Sequence, residues 1–240
     1  MNARRLTDDR TSGLVGLLAA TSPWLLNAGA SLMTHMLTLV LLLASWASLL
    51  PRANARAGAG MSLWAGMAMG WVFTTRPLDG VIAGGLTGLW LLFLSGGAMT
   101  GRIGRAVAFG FGCFVTGLAY FGFNYALTGD ALRSPQAIYL DALWGAGANA
   151  FGFGPAIGPP EGTWRALDPV YGHGPYEGAL NTLHNLTSLQ FDLFGWGVGS
   201  LALVAVLLVA GRLTRTDRLM MMFVTVKVAT MSFYWFSGSF

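Results

Sequence analysis

AVAFGFGCFVTGLAYFGFNYALTG, residues 106–129, runs for 24 residues without an Asp, Glu, Lys or Arg. A helix needs about 20 apolar residues to cross the hydrocarbon core of a bilayer. Backbone polar groups find no water there, so such a segment satisfies them internally, as a helix. The rest of the chain repeats the pattern. Thr11–Leu50 is uncharged over 40 residues and broken by Pro23, Ala57–Thr75 over 19, Gly80–Gly101 over 22 and Leu193–Gly211 over 19, while Leu219–Phe240 carries only Lys227. Seven spans are expected, at about 12–27, 30–50, 59–75, 79–99, 105–126, 194–211 and 219–238. The expected fold class is all-α, a polytopic integral membrane helix bundle.

Composition points the same way. Only 10% of the 240 residues are charged and 54% are hydrophobic, whereas a soluble domain carries roughly 25% charge. A water-soluble chain of this size needs more polar surface than 24 charged residues supply. The net charge of +4 does not indicate nucleic acid, because there is one Lys and the Arg residues are dispersed rather than gathered on a polar face. A single cysteine, Cys113, excludes an internal disulfide and any multi-cysteine metal site. The first segment has a second reading: Arg4-Arg5 followed by Gly13–Ala20 mimics a signal peptide, against which stands Asp8-Asp9 in the basic region.

Orientation follows from the basic residues. With the N-terminus in the cytoplasm and strict alternation, ten arginines (4, 5, 10, 52, 56, 102, 105, 212, 215 and 218) fall inside and only Arg76, Arg133 and Arg165 outside. That asymmetry is the one expected of an inner-membrane protein. Seven of the acids, Asp79, Asp130, Asp141, Glu161, Asp168, Glu177 and Asp192, fall outside.

One outer loop, Gly129–Asp192, exceeds sixty residues, a length uncommon without a function. Trp144, Phe151, Phe153, Trp164, Tyr171 and Tyr176 argue against disorder there. Within it Leu180, Leu183, Leu186 and Leu189 predict a helix along the membrane surface over 179–191. The chain therefore divides into a five-helix part (1–126), an extracytoplasmic loop (127–193) and a two-helix part (194–240).

Charged groups in or beside a bilayer are costly and each needs a reason. Arg76-Pro77-Leu78-Asp79 joins two spans at the outer face. A guanidinium there has the geometry to hold a lipid phosphate bidentately; it can equally pair with Asp79 or snorkel to headgroups. Lys227 lies eight residues inside the last span and faces a cavity or an anionic partner, or else holds helices together. His35 stands near the outer end of the second span, as a core residue or a cavity-lining one. His173 and His184 lie in the outer loop with Tyr176 and Glu177 nearby. The three histidines lack metal-ligand spacing, although an acidic loop has the chemistry to hold a divalent cation weakly. Gly66-x-x-x-Gly70 and Gly80-x-x-x-Gly84 permit close helix packing. No nucleophile elbow, P-loop or metalloprotease pair is present.

Several stretches taken in order resemble the bacterial polytopic glycosyltransferases of the GT-C superfamily, similar to the protein mannosyltransferases and the lipid A aminoarabinose transferases. They are Thr21-Ser22-Pro23-Trp24 with Ser31 to His35, Gly66-x-x-x-Gly70 with Thr75-Arg76-Pro77-Leu78, and Asn124-Tyr125 through Gly129-Asp130. The others are Gly172-His173-Gly174-Pro175 with Asn181, Asn185 and Leu193-Phe194-Gly195-Trp196, and Ser232 to Gly238. The resemblance implies transfer of a sugar from a polyprenyl-phosphate donor to a lipid or glycan acceptor on the outer face. It casts Arg76 and Lys227 as binders of the donor phosphate and His35, His173, Tyr176 and His184 as cavity-lining residues. The family places its catalytic carboxylate in the first outer loop, and no acid occupies that place here. The chain then resembles an internal fragment of such an enzyme. Asp79, with Asp130 and Asp141, remains as the candidate base on the outer side. An alternative from another class is a transporter or lipid-binding scaffold with Lys227 and His35 in its path; no internal repeat of the kind transporters show is visible.

Overall fold

The computed structural model describes residues 9–30, 34–50, 57–158, 172–211 and 213–235. Arg4, Arg5, Arg52, Arg56, Glu161, Trp164, Arg165, Asp168, Tyr171 and Arg212 lie outside them. The protein is all-helical, with ten helices and no strand among the described residues. They are α1 (Asp9–Thr21), α2 (Pro23–Ala30), α3 (His35–Leu49), α4 (Ala59–Thr75), α5 (Pro77–Phe93), α6 (Met99–Thr128), α7 (Pro135–Trp144), α8 (Pro175–Asp192), α9 (Ala202–Val209) and α10 (Arg215–Met231).

Prolines set several of these boundaries. The residue before a proline is pushed out of helical geometry, and proline itself suits the first helical position. Arg76, before Pro77, has φ −144° and ψ 87°. It still closes α4 through its N–H to the Val72 carbonyl (2.8 Å) and opens α5 by accepting from Gly80 N (3.0 Å). One residue thus turns the chain between two helices. Ser22-Pro23 does the same between α1 and α2, which bend by 55°, and Ser22 Oγ caps α2 by accepting from Leu25 N.

The helix lengths differ from the sequence expectation in instructive ways. The segment 59–75 is α4 to the residue. The segment 105–126 lies within α6, whose 30 residues extend about 45 Å. The segment 79–99 ends early, at Phe93, because Ser95-Gly96-Gly97 turns the chain with positive φ at both glycines. The segment 194–211 is helical only over the eight residues of α9, with positive φ at Gly195, Gly199 and Gly211 around it. Hydropathy registers how apolar a stretch is and not its φ angles, so the glycines escaped it. Among the described residues α6 alone is long and apolar enough to cross a membrane, or α1 and α2 as well if the bent pair counts as one span.

The chain divides into two compact units, the first formed by Met1–Tyr120 and Asp192–Phe223, the second by Phe121–Phe191 and Val224–Phe240. In the first, α3, α4 and α5 pack around Leu42, Trp46, Ala65, Met69, Val72, Ala83 and Leu91, joined by Phe109 and Leu219. Polar side chains tie these helices through the core: Ser45 Oγ donates to the Ala65 carbonyl (2.8 Å) and Trp46 Nε1 to Thr87 Oγ1 (2.9 Å). Thr87→Val strands the buried indole donor, a loss of roughly 1–3 kcal/mol that a shift in thermal midpoint in detergent measures; Thr87→Ser, which keeps the acceptor, is expected to recover most of it. In the second unit, α7 begins at Ser134, whose hydroxyl caps Ala137 N, and α8 covers the predicted 179–191 helix and extends it at both ends.

Candidate functional site

The Arg76 turn belongs to the first unit. Arg76 Nε meets Asp79 Oδ2 at 2.8 Å, an i,i+3 pair whose side chains are 32% and 12% exposed. The pairing reading of this turn is therefore the one present. It occupies Nε and leaves the two Nη groups of the same planar fork outside the pair. Asp79 is buried at the head of the α5 face that carries Ala83, Thr87 and Trp90 into the core. Buried and bonded to an arginine, it holds the guanidinium at the turn.

His35, half-buried, opens α3. One turn on, Thr38 Oγ1 and Thr75 Oγ1 lie 3.1 Å apart. That bond puts the first turn of α3 beside the last turn of α4, so His35 and Arg76 belong to one end of the three-helix packing.

From the same end a groove of about 460 Å³ runs between α4, α5 and α6, lined by Met69, Phe73, Gly80, Gly84, Gly88 and Phe109 among others. Its glycines fall into two kinds. A Cβ on Gly80 would meet Phe73 backbone at 2.3 Å, so that glycine is needed for α4–α5 packing. A Cβ on Gly85, Gly88 or Gly110 would meet nothing within 4 Å, and one on Gly84 only the Met69 Cγ at 3.4 Å. These glycines hold space open. Sequence reading noted Gly80-x-x-x-Gly84 only as a packing pair; the continuation to Gly88 at the same spacing was the available signal.

The remaining candidates lie in the second unit. Lys227, on α10, is half-buried and engaged by the protein. His173 is 3% exposed; its Nε2 lies 3.0 Å from the Ser232 carbonyl and its ring 5.3 Å from that of Phe153. Its backbone pairs with Gly154 in both directions, at 2.8 and 2.9 Å. Two further carbonyls after α10 are held, Phe233 by Gly152 N and Trp235 by Asn181 Nδ2. Asn149 Oδ1 accepts from Tyr234 Oη (2.8 Å) and Trp235 Nε1 (3.2 Å). This is a clasp between the loop and residues 232–235, and sequence reading missed Asn149 because a lone asparagine carries no pattern. Glu177 is buried and caps α8 through Gly174 N (2.8 Å), whereas Tyr176 and His184 are exposed. Asp130 and Asp141 serve the loop backbone: Asp130 Oδ1 accepts from Leu132 N, and Asp141 takes Arg133 Nη2 at 2.8 Å and Gly147 N at 3.2 Å. Among the described residues no three His, Cys, Asp or Glu gather to hold a metal ion.

Comparison with known proteins returns no match among protein families, curated proteins or solved structures.

Proposed function

We propose that the chain is a polytopic membrane protein of about seven spans that handles a polyprenyl-phosphate-linked sugar at the extracytoplasmic face of a bacterial inner membrane, in the manner of a GT-C glycosyltransferase. The membrane part is supported by the ten-to-three division of arginines and by the exposed apolar surface. Trp64, Phe111, Phe114 and Val206 each show 60% or more of their area. In water such surface costs roughly 25 cal/mol per Å²; in hydrocarbon it costs nothing. Only 22% of the most apolar stretch of α6 is buried inside the protein, unlike the core helix of a soluble domain. In this reading α3 and α5, at about 22 and 26 Å, cross with local thinning of the bilayer.

The observation that carries the chemistry is Arg76, paired with Asp79 at the turn between two apolar helices. In sugar transfer the acceptor hydroxyl oxygen bonds to the anomeric carbon, and the bond from that carbon to the phosphate oxygen breaks. Its electron pair leaves on the polyprenyl phosphate, and the hydroxyl proton goes to a carboxylate base, for which Asp79 beside Arg76 is the candidate. Arg76 would neutralise charge developing on the phosphate, a role worth about a hundredfold in rate. Sugar transfer in proteoliposomes from a polyprenyl-phosphate sugar is therefore expected to fall about a hundredfold in Arg76→Gln. Unchanged transfer removes Arg76 from the mechanism, and an inactive wild-type protein sinks the enzymatic reading.

A further inference from the structure

We propose that the second unit has a membrane contact of its own, with α7 and α8 seating their outward faces among the acyl chains at the surface of the leaflet where α6 ends. This rests on the reading of α6 as a span given above. It changes the character of the long loop, because two of its helices then lie in lipid and not in water. Three observations lead to it.

The first is an inversion of polarity in α8. A helix on the surface of a water-soluble domain turns its apolar stripe inward and its polar residues outward. In α8 Tyr176, Ala179, Leu180, Leu183 and Phe191 are exposed, and their helical spacing puts them on one face. The polar residues lie on the other side. Glu177 is buried, and Asn181, Thr182, Asn185 and Ser188 are half-buried. Several bond there: Glu177 accepts from Gly174 N (2.8 Å), Asn181 Nδ2 donates to the Trp235 carbonyl (2.9 Å) and Thr182 Oγ1 to the Gly178 carbonyl (2.7 Å). On the exposed face His184 and Thr187 are polar, and the Thr187 hydroxyl donates to the Leu183 carbonyl. No Asp, Glu, Lys or Arg stands on that face between Tyr176 and Phe191.

The second is that α7 repeats the arrangement. Ile138, Tyr139, Ala142 and Leu143 are exposed, while Asp141 pairs with Arg133 at 2.8 Å and the Trp144 ring packs on that of Trp235 at 5.2 Å. Both helices thus hold the segment around Trp235, α7 through a ring and α8 through Asn181. Both leave an uncharged apolar face outward. Such a face offers a protein partner no charge to be steered by, whereas leucine with tyrosine is the composition that settles into a membrane interface.

The third is position. At the end of α6, Phe123, Tyr125 and Leu127 are exposed, and the connection to α7 is tied back to that end. Asn124 Nδ2 donates to the Ala131 carbonyl (3.2 Å) and Thr128 Oγ1 to the Arg133 carbonyl (3.1 Å), and Ser134 then caps α7. Helix α7 therefore starts beside the last turn of α6, with Leu132 exposed between them. Its ten residues extend about 15 Å, half the thickness of the hydrocarbon core, so it lies at the boundary and does not cross.

The test uses the full chain carrying Cys113→Ala in phosphatidylcholine–phosphatidylglycerol nanodiscs. A nitroxide is attached, one position at a time, through Leu143→Cys, Leu180→Cys or Leu183→Cys, with Phe114→Cys on α6 as the lipid reference. All four positions are exposed, so the label displaces no packing. Collisions are measured with oxygen, which concentrates in lipid, and with a nickel chelate, which stays in water. The three labels on α7 and α8 are expected to match Phe114→Cys in oxygen collisions and to meet nickel roughly fivefold less often than the unattached label in buffer, as buried interfacial residues do. Nickel collisions as frequent as in buffer would put the helices in water and overturn the proposal. Few collisions with either reagent would overturn it too, because protein would then cover the face, a second copy if labels on neighbouring chains broaden one another. A label at Phe114→Cys that is open to nickel removes the membrane reading itself. The reference in lipid with α7 and α8 in water removes this contact alone.

Discussion

Gly66→Leu is expected to destabilise the first unit by about 3 kcal/mol or more, the upper range for forcing bulk into a packed contact, and to leave little folded protein. The added Cβ alone would lie 2.0 Å from the Phe109 carbonyl oxygen and 2.8 Å from its carbon. These are backbone atoms of α6, which no rotamer change can move aside. Gly112 on α6 makes the reciprocal approach, 2.3 Å from the Leu63 carbonyl and 2.7 Å from Met67 N of α4. Gly70 completes the crossing, 2.5 Å from the Cys113 carbonyl, and Thr116 Oγ1 reaches the Met67 carbonyl at 2.9 Å. Such small-residue contacts are the main means of helix association in lipid, where apolar side chains gain nothing by leaving their surroundings. Thermal unfolding in detergent measures the effect. Gly85→Ala, where a Cβ meets nothing within 4 Å, is the control and should melt at or slightly above wild type. A Gly66→Leu protein that melts with wild type would mean that α4 and α6 do not approach as described.

Asn149→Leu is expected to release the clasp of the second unit at a cost of about 2 kcal/mol, because two partly buried donors lose their common acceptor. Tyr234 Oη and Trp235 Nε1 both end on Asn149 Oδ1. The Trp144 and Trp235 rings, 5.2 Å apart and nearly perpendicular, pack beside them. Faster amide exchange at Gly152 and Gly154, whose N–H groups bond Phe233 and His173 carbonyls, is the readout, with the first unit unchanged. Asn149→Asp keeps an acceptor oxygen and should restore most of the protection. Exchange unaltered in Asn149→Leu would show that the aromatic contacts hold the segment without it.

What could be read in the sequence depended on the range of the interaction concerned. α4 was placed to the residue because its limits are local: a glycine-rich start and Pro77 one residue past Arg76. The α8 helix was legible from its leucine spacing. The helix expected over 194–211 shrank to Ala202–Val209, since glycine conformation is invisible to hydropathy. For the candidate site, Arg76 and Asp79 were visible because two charges in an uncharged region are conspicuous. Their pairing was one of the alternatives, and the geometry selected it. His173 was seen as a loop histidine, yet its ring sits against a backbone carbonyl 59 residues away.

The sequence by itself determined the all-helical class and the sites of the proline turns. Each of these depends on composition or on neighbours within one helical turn. Tertiary structure decided the rest: which glycines are crushed between helices and which face open space, that Asp79 pairs with Arg76, and that the long loop is clasped to residues 232–235. The same residue type at the same i+4 spacing, Gly66-x-x-x-Gly70 and Gly84-x-x-x-Gly88, does opposite things. The difference lies in whether another helix is there to fill the space.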